Sequence, residues 1–181
     1  MRIAVYCGAH LGLDPAYQEA AEKLGRWIVE QDHELIYGGG KLGLMGVVAD
    51  QVLASGGKVT GVMPEFLAQP ERVHTDLTRL ISVNDLDERK KVIMENTDVC
   101  IALPGGIGTL EEIIEAYSWA RVGQNNRPCI FYDAHDYYQL LRAFFDQMVT
   151  QKFLSEADRQ LVLFSPSLTE MELFIQRYYA K

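Results

Sequence analysis

The sequence has few of the residues that mark disulfide-bonded or metal-binding proteins. It contains three cysteines, Cys7, Cys100 and Cys129, which lack C-x-x-C spacing and lie in or beside predicted strands. This pattern favours reduced, buried thiols, to which we assign no chemistry. The four histidines are scattered, and no pair has the spacing of a local metal motif. We therefore expect neither a metal site nor a cofactor.

The sequence also lacks an excess of positive charge. Its formal net charge is −8, which argues against binding to nucleic acid or to an anionic membrane. An apolar strand pattern begins at Ile3. No signal-peptide core or membrane span is therefore expected before it, and we predict a cytoplasmic location. Repeats, low-complexity segments and linkers are missing too, so we expect residues 1–181 to form a single domain.

Short β-rich runs alternate with helical patterns along the chain. We predict strands at 2–7, 34–37, 58–63, 77–83, 99–103, 128–132 and 160–164, and helices at 15–31, 44–55, 86–96, 109–122, 136–151 and 168–179. Such alternation indicates a parallel sheet with helices on both faces, because each parallel pair needs a right-handed crossover. The predicted fold class is α/β, a Rossmann-like doubly wound parallel sheet with three layers, α/β/α.

The junction between the fifth predicted strand and the next helix is the strongest candidate for a site. The segment 104–112 reads PGGIGTLEE and follows a buried apolar run. Gly105, Gly106 and Gly108 allow the backbone to come close to a ligand. The N–H groups and the positive dipole at the start of a helix, at the carboxyl end of a strand, suit a phosphate.

Glu112 in this segment has two interpretations. Thr109 and Glu112 match a capping box, in which both side chains accept hydrogen bonds from free N–H groups at a helix start. An acid beside a phosphate site is also well placed for chemistry on a sugar. The two roles can coexist.

Two other motifs leave alternatives open. The segment 38–43 formally satisfies G-x-G-x-x-G, and it fits either a tight strand-to-helix turn or a glycine surface that admits a ligand. The charged run 85–91 is by default a solvated helix face. If the fourth and fifth strands pair, however, Arg89 would meet both a phosphate and Glu112.

The segment 104–112 fits P-G-G-x-G-T-x-x-E, and together with the glycine-rich 38–46 and the Arg89-Lys90 pair it resembles the LONELY GUY (LOG) family. These are phosphoribohydrolases of cytokinin riboside 5′-monophosphates, and their members are often labelled lysine decarboxylases. Nothing in this sequence resembles a pyridoxal-phosphate lysine site. The likeness runs from Tyr6 to Leu154, nearly the whole chain.

The resemblance implies that Arg89 and Glu112 are catalytic. It implies that the nucleotide is bound by Lys90, Gly105, Gly106, Gly108, Thr109 and Glu111, with a polar contact from Ser118, where the family often has threonine. It further implies a homodimer whose cleft is completed by the other subunit, near helices 86–96 and 109–122. Leu86-Asp87 and Ala9-His10 depart from the family's usual Met-His and Ser-Ser, so contacts to the base or sugar are expected to differ.

The expected reaction is hydrolysis of the N-glycosidic bond of an adenine, or N6-substituted adenine, nucleoside 5′-monophosphate to free base and ribose 5-phosphate. Positive charge develops on the ribosyl carbon, as in glycosidases. Glu112 would stabilise that charge and orient or deprotonate water, while Arg89 fixes Glu112 and the sugar or phosphate. Two alternatives are a carrier of a nucleotide or molybdenum cofactor without turnover, and a dinucleotide oxidoreductase.

Overall fold

A computed structural model describes residues 1–180, and its centre is one seven-stranded sheet. The strands are β1 (Arg2–Tyr6), β2 (Glu34–Tyr37), β3 (Val59–Pro64), β4 (Arg79–Val83), β5 (Val99–Ala102), β6 (Cys129–Tyr132) and β7 (Val162–Ser165). Their order is β4-β3-β2-β1-β5-β6-β7, and all neighbouring pairs are parallel. The chain winds outward from β1 to β4 and then returns to β5, so strand order reverses between β1 and β5.

Helices cover both faces of this sheet. They are α1 (Pro15–Glu30), α2 (Gly43–Ala54), α3 (Leu86–Glu95), α4 (Ile107–Arg121), α5 (Gln139–Thr150), α6 (Glu156–Arg159) and α7 (Leu168–Tyr179). One core cluster joins α1, α2 and α7 to the sheet, and the other joins α3, α4 and α5 to the opposite face. The predicted three-layer, doubly wound parallel fold is confirmed. Within residues 1–180, no helix is both long and apolar enough to cross a membrane.

Strand β1 shows why its sequence is apolar without alternation. Ile3 and Val5 belong to one core cluster, whereas Ala4 and Tyr6 belong to the other. A parallel strand with both faces covered is apolar at consecutive positions. Because both faces of the sheet are covered, the loops at the carboxyl ends of the strands lie at the edge of this buried core.

Two of the differences from the sequence prediction, one boundary and one additional helix, have identifiable reasons. The predicted helix 136–151 begins only at Gln139, because Ala134–Asp136 form a 3₁₀ turn in which His135 and Asp136 have φ of 53° and 55°. Helix α6 was not predicted. It is a single turn whose start is capped by Ser155, which accepts a hydrogen bond from Asp158 N–H.

The glycine-rich segment 38–46 is explained by packing. Gly43 has φ of 61°, and a Cβ there would collide with the backbone of Ala9 and His10. A Cβ on Gly46 would collide with the Lys41 carbonyl. Of the two interpretations, these contacts support the tight strand-to-helix turn, since these glycines allow close backbone approach within the chain itself.

We predict that Gly46→Ala destabilises the fold, whereas Gly108→Ala does not. Both glycines are in helices, but nothing lies within 4 Å of a Cβ built on Gly108. Gly46→Ala should lower the free energy of unfolding by about 1–3 kcal/mol through overpacking. Gly108→Ala should leave it unchanged or raise it by up to about 1 kcal/mol through helix propensity. Urea denaturation of both variants measures the difference, and equal stabilities would contradict the packing argument.

Candidate active site

A cleft of about 510 Å³ opens at the carboxyl ends of β1 and β5. This is the point where strand order reverses, at which open α/β sheets usually bind ligands. The loop after β1, the first turns of α2, α3 and α4, and Tyr137 line it. Of the residues predicted for the site, the cleft brings together Arg89, Lys90, Gly105, Gly106, Gly108, Thr109, Glu111 and Glu112.

Ser118 is the exception among the predicted site residues. It is exposed near the carboxyl end of α4 and is not part of the cleft wall. Its polar contact to a substrate therefore stays a prediction.

The start of α4 offers unpaired backbone donors to the cleft. Gly106 is the N-cap residue, and no side chain caps this helix. Within the described chain, no protein acceptor is found for the N–H groups of residues 105–109. By contrast, Asp14, Asp85 and Ser167 accept hydrogen bonds at the starts of α1, α3 and α7. A helix start of this kind is suited to an anion.

The capping-box interpretation of Thr109 and Glu112 is wrong. Helix α4 begins at Ile107, so Thr109 is already inside the first turn and its side chain makes no cap. The Thr109 hydroxyl instead packs against Gly105, where a Cβ would collide with it. Glu112 follows Gly108 by four residues and Thr109 by three, so the three residues share one helix face. That face lines the cleft.

The glycines of the 104–112 segment differ in what they do for the fold. A Cβ on Gly105 would collide with Thr109 and approach Gly8 N to 2.8 Å, so packing alone requires glycine there. Nothing lies within 4 Å of a Cβ on Gly106 or Gly108, and neither has positive φ. The fold does not require glycine at these two positions, and both face the cleft.

Glu112 is half-buried in the wall of the cleft. Burial raises the pKa of its carboxyl above the usual value, although the positive charge of Arg89 opposes the shift. Cys7 lies close to both groups: burial and Glu112 raise the pKa of its thiol, and Arg89 lowers it. All three cysteines are free and buried, as expected.

Arg89 reaches this cleft by a route that the sequence prediction missed. Strand β4 pairs with β3 at the sheet edge, so the premise that the fourth and fifth strands are neighbours is wrong. Helix α3 returns from that edge across β3 towards the centre. The Arg89 guanidinium lies over Gly38, where any Cβ would overlap it. Its Nε is buried without a hydrogen-bond partner among residues 1–180.

Arg89 and Glu112 are not paired with each other. In the described part of the chain, neither a hydrogen bond nor an ion pair of 4.0 Å or less joins them. The positive charge of Arg89 still acts on Glu112 at longer range, where it opposes the rise of the carboxyl pKa. Both groups are therefore available to a ligand between them.

Lys90 is held by carboxylates. Its Nζ lies 3.0 Å from Glu111 Oε1, 3.4 Å from Glu115 Oε1 and 3.6 Å from Asp87 Oδ1, with 18% of the side chain exposed. The hydrogen bond to Glu111 raises the pKa of this ammonium group, so the group is protonated. Within residues 1–180, no cluster of three or more His, Cys, Asp or Glu residues could hold a metal ion.

Sequence reasoning assigned no site role to several residues of the cleft wall: Tyr17, Leu44, Met45 and Tyr137. Tyr137 follows β6 at the carboxyl edge of the sheet. Its position after a predicted strand is the signal that would have indicated it. His10, which was expected to alter contacts to the base or sugar, also lies in the cleft wall.

Solved structures share the fold of the chain. A molybdenum-cofactor carrier protein of Chlamydomonas reinhardtii aligns with a TM-score of 0.71 and 19% identity, covering 99% of this chain and 98% of that one. A molybdenum-cofactor-binding protein of Rippkaea orientalis aligns with a TM-score of 0.68 and 19% identity, covering 97% and 95%.

Sequence relatives are closer. A cytokinin riboside 5′-monophosphate phosphoribohydrolase of Rhodococcoides fascians is 41% identical over 162 residues, which are 89% of this chain and 82% of that protein. An enzyme of the same name from Arabidopsis thaliana is 38% identical over 177 residues, covering 98% and 82%. The family model described as "Possible lysine decarboxylase" matches residues 45–172. The chain therefore belongs to this family, that of the LONELY GUY phosphoribohydrolases.

Proposed function

We propose that the protein hydrolyses the N-glycosidic bond of a purine nucleoside 5′-monophosphate, with adenine or an N6-substituted adenine as base, releasing that base and ribose 5-phosphate. The observation that carries the proposal is one cleft that holds unpaired N–H groups of residues 105–109 and the half-buried carboxylate of Glu112. The relatives named above are phosphoribohydrolases of cytokinin riboside 5′-monophosphates.

The start of α4 binds the 5′-phosphate in this proposal. Its N–H groups and the helix dipole attract an anion locally, in a chain whose net charge of −8 repels one. Gly106 and Gly108 leave the approach to these donors open, because neither carries a side chain. The phosphate is remote from the bond that breaks, so its binding energy can hold the ribosyl carbon against Glu112.

Glu112 acts on the sugar. As a carboxylate it stabilises the positive charge that develops on the ribosyl carbon, and it orients or deprotonates the attacking water. Arg89 binds the phosphate or the sugar hydroxyls with its guanidinium, whose Nε has no protein partner in the described chain. Arg89 also favours the ionised form of Glu112.

Two other chemistries fit the site less well. A nucleophilic lysine needs a lowered pKa, whereas the pKa of Lys90, the lysine in the cleft wall, is raised by Glu111. A dinucleotide oxidoreductase would need the G-x-G-x-x-G segment to bind a pyrophosphate, but Gly43, the last glycine of that segment, packs against the backbone of Ala9 and His10. A carrier without turnover has the same fold, and release of free base separates it from a hydrolase.

A homodimer is part of the proposal. A second groove, of about 450 Å³, lies between α3 and α4, and Lys90 lines both this groove and the cleft. Trp119 in the groove is 37% exposed, and exposed aromatic side chains of this kind are enriched in subunit contacts. A second copy seated there would approach Ser118 and help close the cleft.

We also propose a cytoplasmic location, supported by three free cysteines.

We predict that Glu112→Gln lowers kcat by about 10²-fold or more, while the matched Glu115→Gln retains most of it. Glu115 is on the same helix and loses the same charge, but it is outside the cleft wall. Chromatographic detection of free base from AMP and from N6-isopentenyl-AMP measures both rates. Activity of Glu112→Gln within a few-fold of the native protein would remove Glu112 from the mechanism.

The raised pKa of Glu112 predicts the direction of two pH effects. The acid limb of kcat/KM should lie above the ordinary glutamate range, because the carboxylate is the active form. Because the pKa of Glu112 is raised in the folded state, its protonated carboxyl contributes to the free energy of unfolding. This contribution is fully present below the pKa of the unfolded chain and is lost as pH rises through the pKa of the folded state. Glu112→Gln should therefore be no less stable than the native protein at pH 7.

We predict that the 5′-phosphate is required. The kcat/KM for adenosine should fall below that for AMP by more than about 100-fold, since each lost hydrogen bond to a charged group contributes about 1.5–3 kcal/mol. Gly108→Ala, for which the fold has room, should weaken the binding of AMP, because the added methyl group lies at the proposed phosphate site. Similar kcat/KM values for AMP and adenosine would show that the start of α4 is only a structural turn.

We predict that Trp119→Glu dissociates the dimer and lowers kcat/KM. The control is Leu173→Glu, which introduces the same charge on exposed α7, on the opposite face of the sheet. Light scattering gives the mass of each variant. A native protein that is monomeric and fully active would contradict the shared cleft.

A further inference from the structure

We propose that Tyr137 is a positioning residue, which sets the direction in which the Gly105–Gly106 peptide presents its N–H to the 5′-phosphate. The phenol of Tyr137 donates a hydrogen bond of 2.6 Å to the Gly105 carbonyl oxygen. Tyr137 lines the cleft and is 42% exposed. The inference rests on the proposed function, because the phosphate belongs to the proposed substrate.

The geometry of the peptide bond links the phenol to the phosphate donor. A trans peptide is planar, so its carbonyl and its N–H point in opposite directions. While Tyr137 holds the Gly105 carbonyl, the Gly106 N–H of the same peptide points away from Tyr137. That N–H has no protein acceptor in the described chain, and Gly106 lines the cleft.

This peptide needs an external restraint. It lies between two glycines, which rotate about their backbone bonds more freely than other residues. The Gly106 side has open space, since nothing lies within 4 Å of a Cβ built there. Without the phenol, the Gly105 carbonyl can turn towards the cleft and place a partial negative charge where a phosphate must bind.

The ring of Tyr137 is itself held in place. It packs edge-on against Tyr17, with centroids 5.5 Å apart, and against Tyr138 at 4.9 Å. It follows directly on the turn in which His135 and Asp136 have left-handed backbone. Such conformations are rare for residues other than glycine and persist where the surroundings determine them. Asp133, whose carboxylate accepts the Tyr138 N–H at 2.6 Å, supports the same turn.

Tyr138 provides a matched comparison. Its phenol donates a similar hydrogen bond, 2.7 Å long, to the Leu103 carbonyl oxygen. The residue after Leu103 is Pro104, which has no N–H, so this hydrogen bond orients no donor towards the phosphate. Tyr138 is 5% exposed, so loss of its hydroxyl group leaves the buried Leu103 carbonyl unpaired and should destabilise the fold.

The experiment compares Tyr137→Phe and Tyr138→Phe by calorimetric binding of two unreactive probes, ribose 5-phosphate and adenine. Tyr137→Phe should weaken the binding of ribose 5-phosphate by about three- to tenfold, the usual contribution of one hydrogen bond, and leave the affinity for adenine unchanged. The kcat/KM for AMP should fall together with the affinity for ribose 5-phosphate. Tyr138→Phe should lower the melting temperature while the ratio of the two affinities stays native.

The affinity ratio is a readout that a merely structural role would not change. The proposal is overturned if Tyr137→Phe binds ribose 5-phosphate as tightly as the native protein does. It is also overturned if both probes weaken equally, or if Tyr138→Phe shifts the ratio as much as Tyr137→Phe. If the native protein releases no base from any nucleotide, the proposed reaction fails, yet the binding of ribose 5-phosphate still tests Tyr137.

Discussion

The site depends on keeping the backbone N–H groups at the start of α4 free of protein partners. A chain normally satisfies such donors with a capping side chain, as Asp14 does for α1. Here no side chain caps the helix, and the first N–H groups of a helix have no partner within it. The donors of residues 105–109 therefore stay available to an anion. The preceding carbonyl oxygens of Leu103, Pro104 and Gly105 accept hydrogen bonds from Tyr138, Gly8 N–H and Tyr137, which fixes the direction of this loop. The attraction of these N–H groups for an anion operates against a net charge of −8.

A second constraint is the unpaired placement of two opposite charges. Burial of Glu112 disfavours its charge, and a direct ion pair with Arg89 would relieve that cost, yet the described chain contains no such pair. Gly38 makes room for the guanidinium at a distance from the carboxylate. Both groups therefore remain free for a substrate, at the cost of a desolvated carboxylate without a direct ion pair. Sites that bind charged ligands commonly carry such a cost.

Lys90 has a supporting position beside this pair. Its ammonium group neutralises Glu111 and Glu115, which would otherwise repel an anionic substrate and raise the pKa of Glu112 further. It also lines both the cleft and the groove between α3 and α4.

Local sequence patterns were enough to predict the alternation of strands and helices, because apolar runs and helical spacing involve only neighbouring residues. It also indicated the glycine-rich start of α4, since PGGIGTLEE directly follows a buried strand. Which glycines face a ligand depends on tertiary contacts: Gly105 and Gly46 pack against the chain, whereas Gly106 and Gly108 are open. Such contacts also place Arg89, from a helix that starts at the sheet edge, in the same cleft as Glu112, and the Tyr137 hydroxyl at the Gly105 carbonyl. Strand order and the direction of a carbonyl depend on contacts between residues far apart in the chain, and no local pattern encodes them.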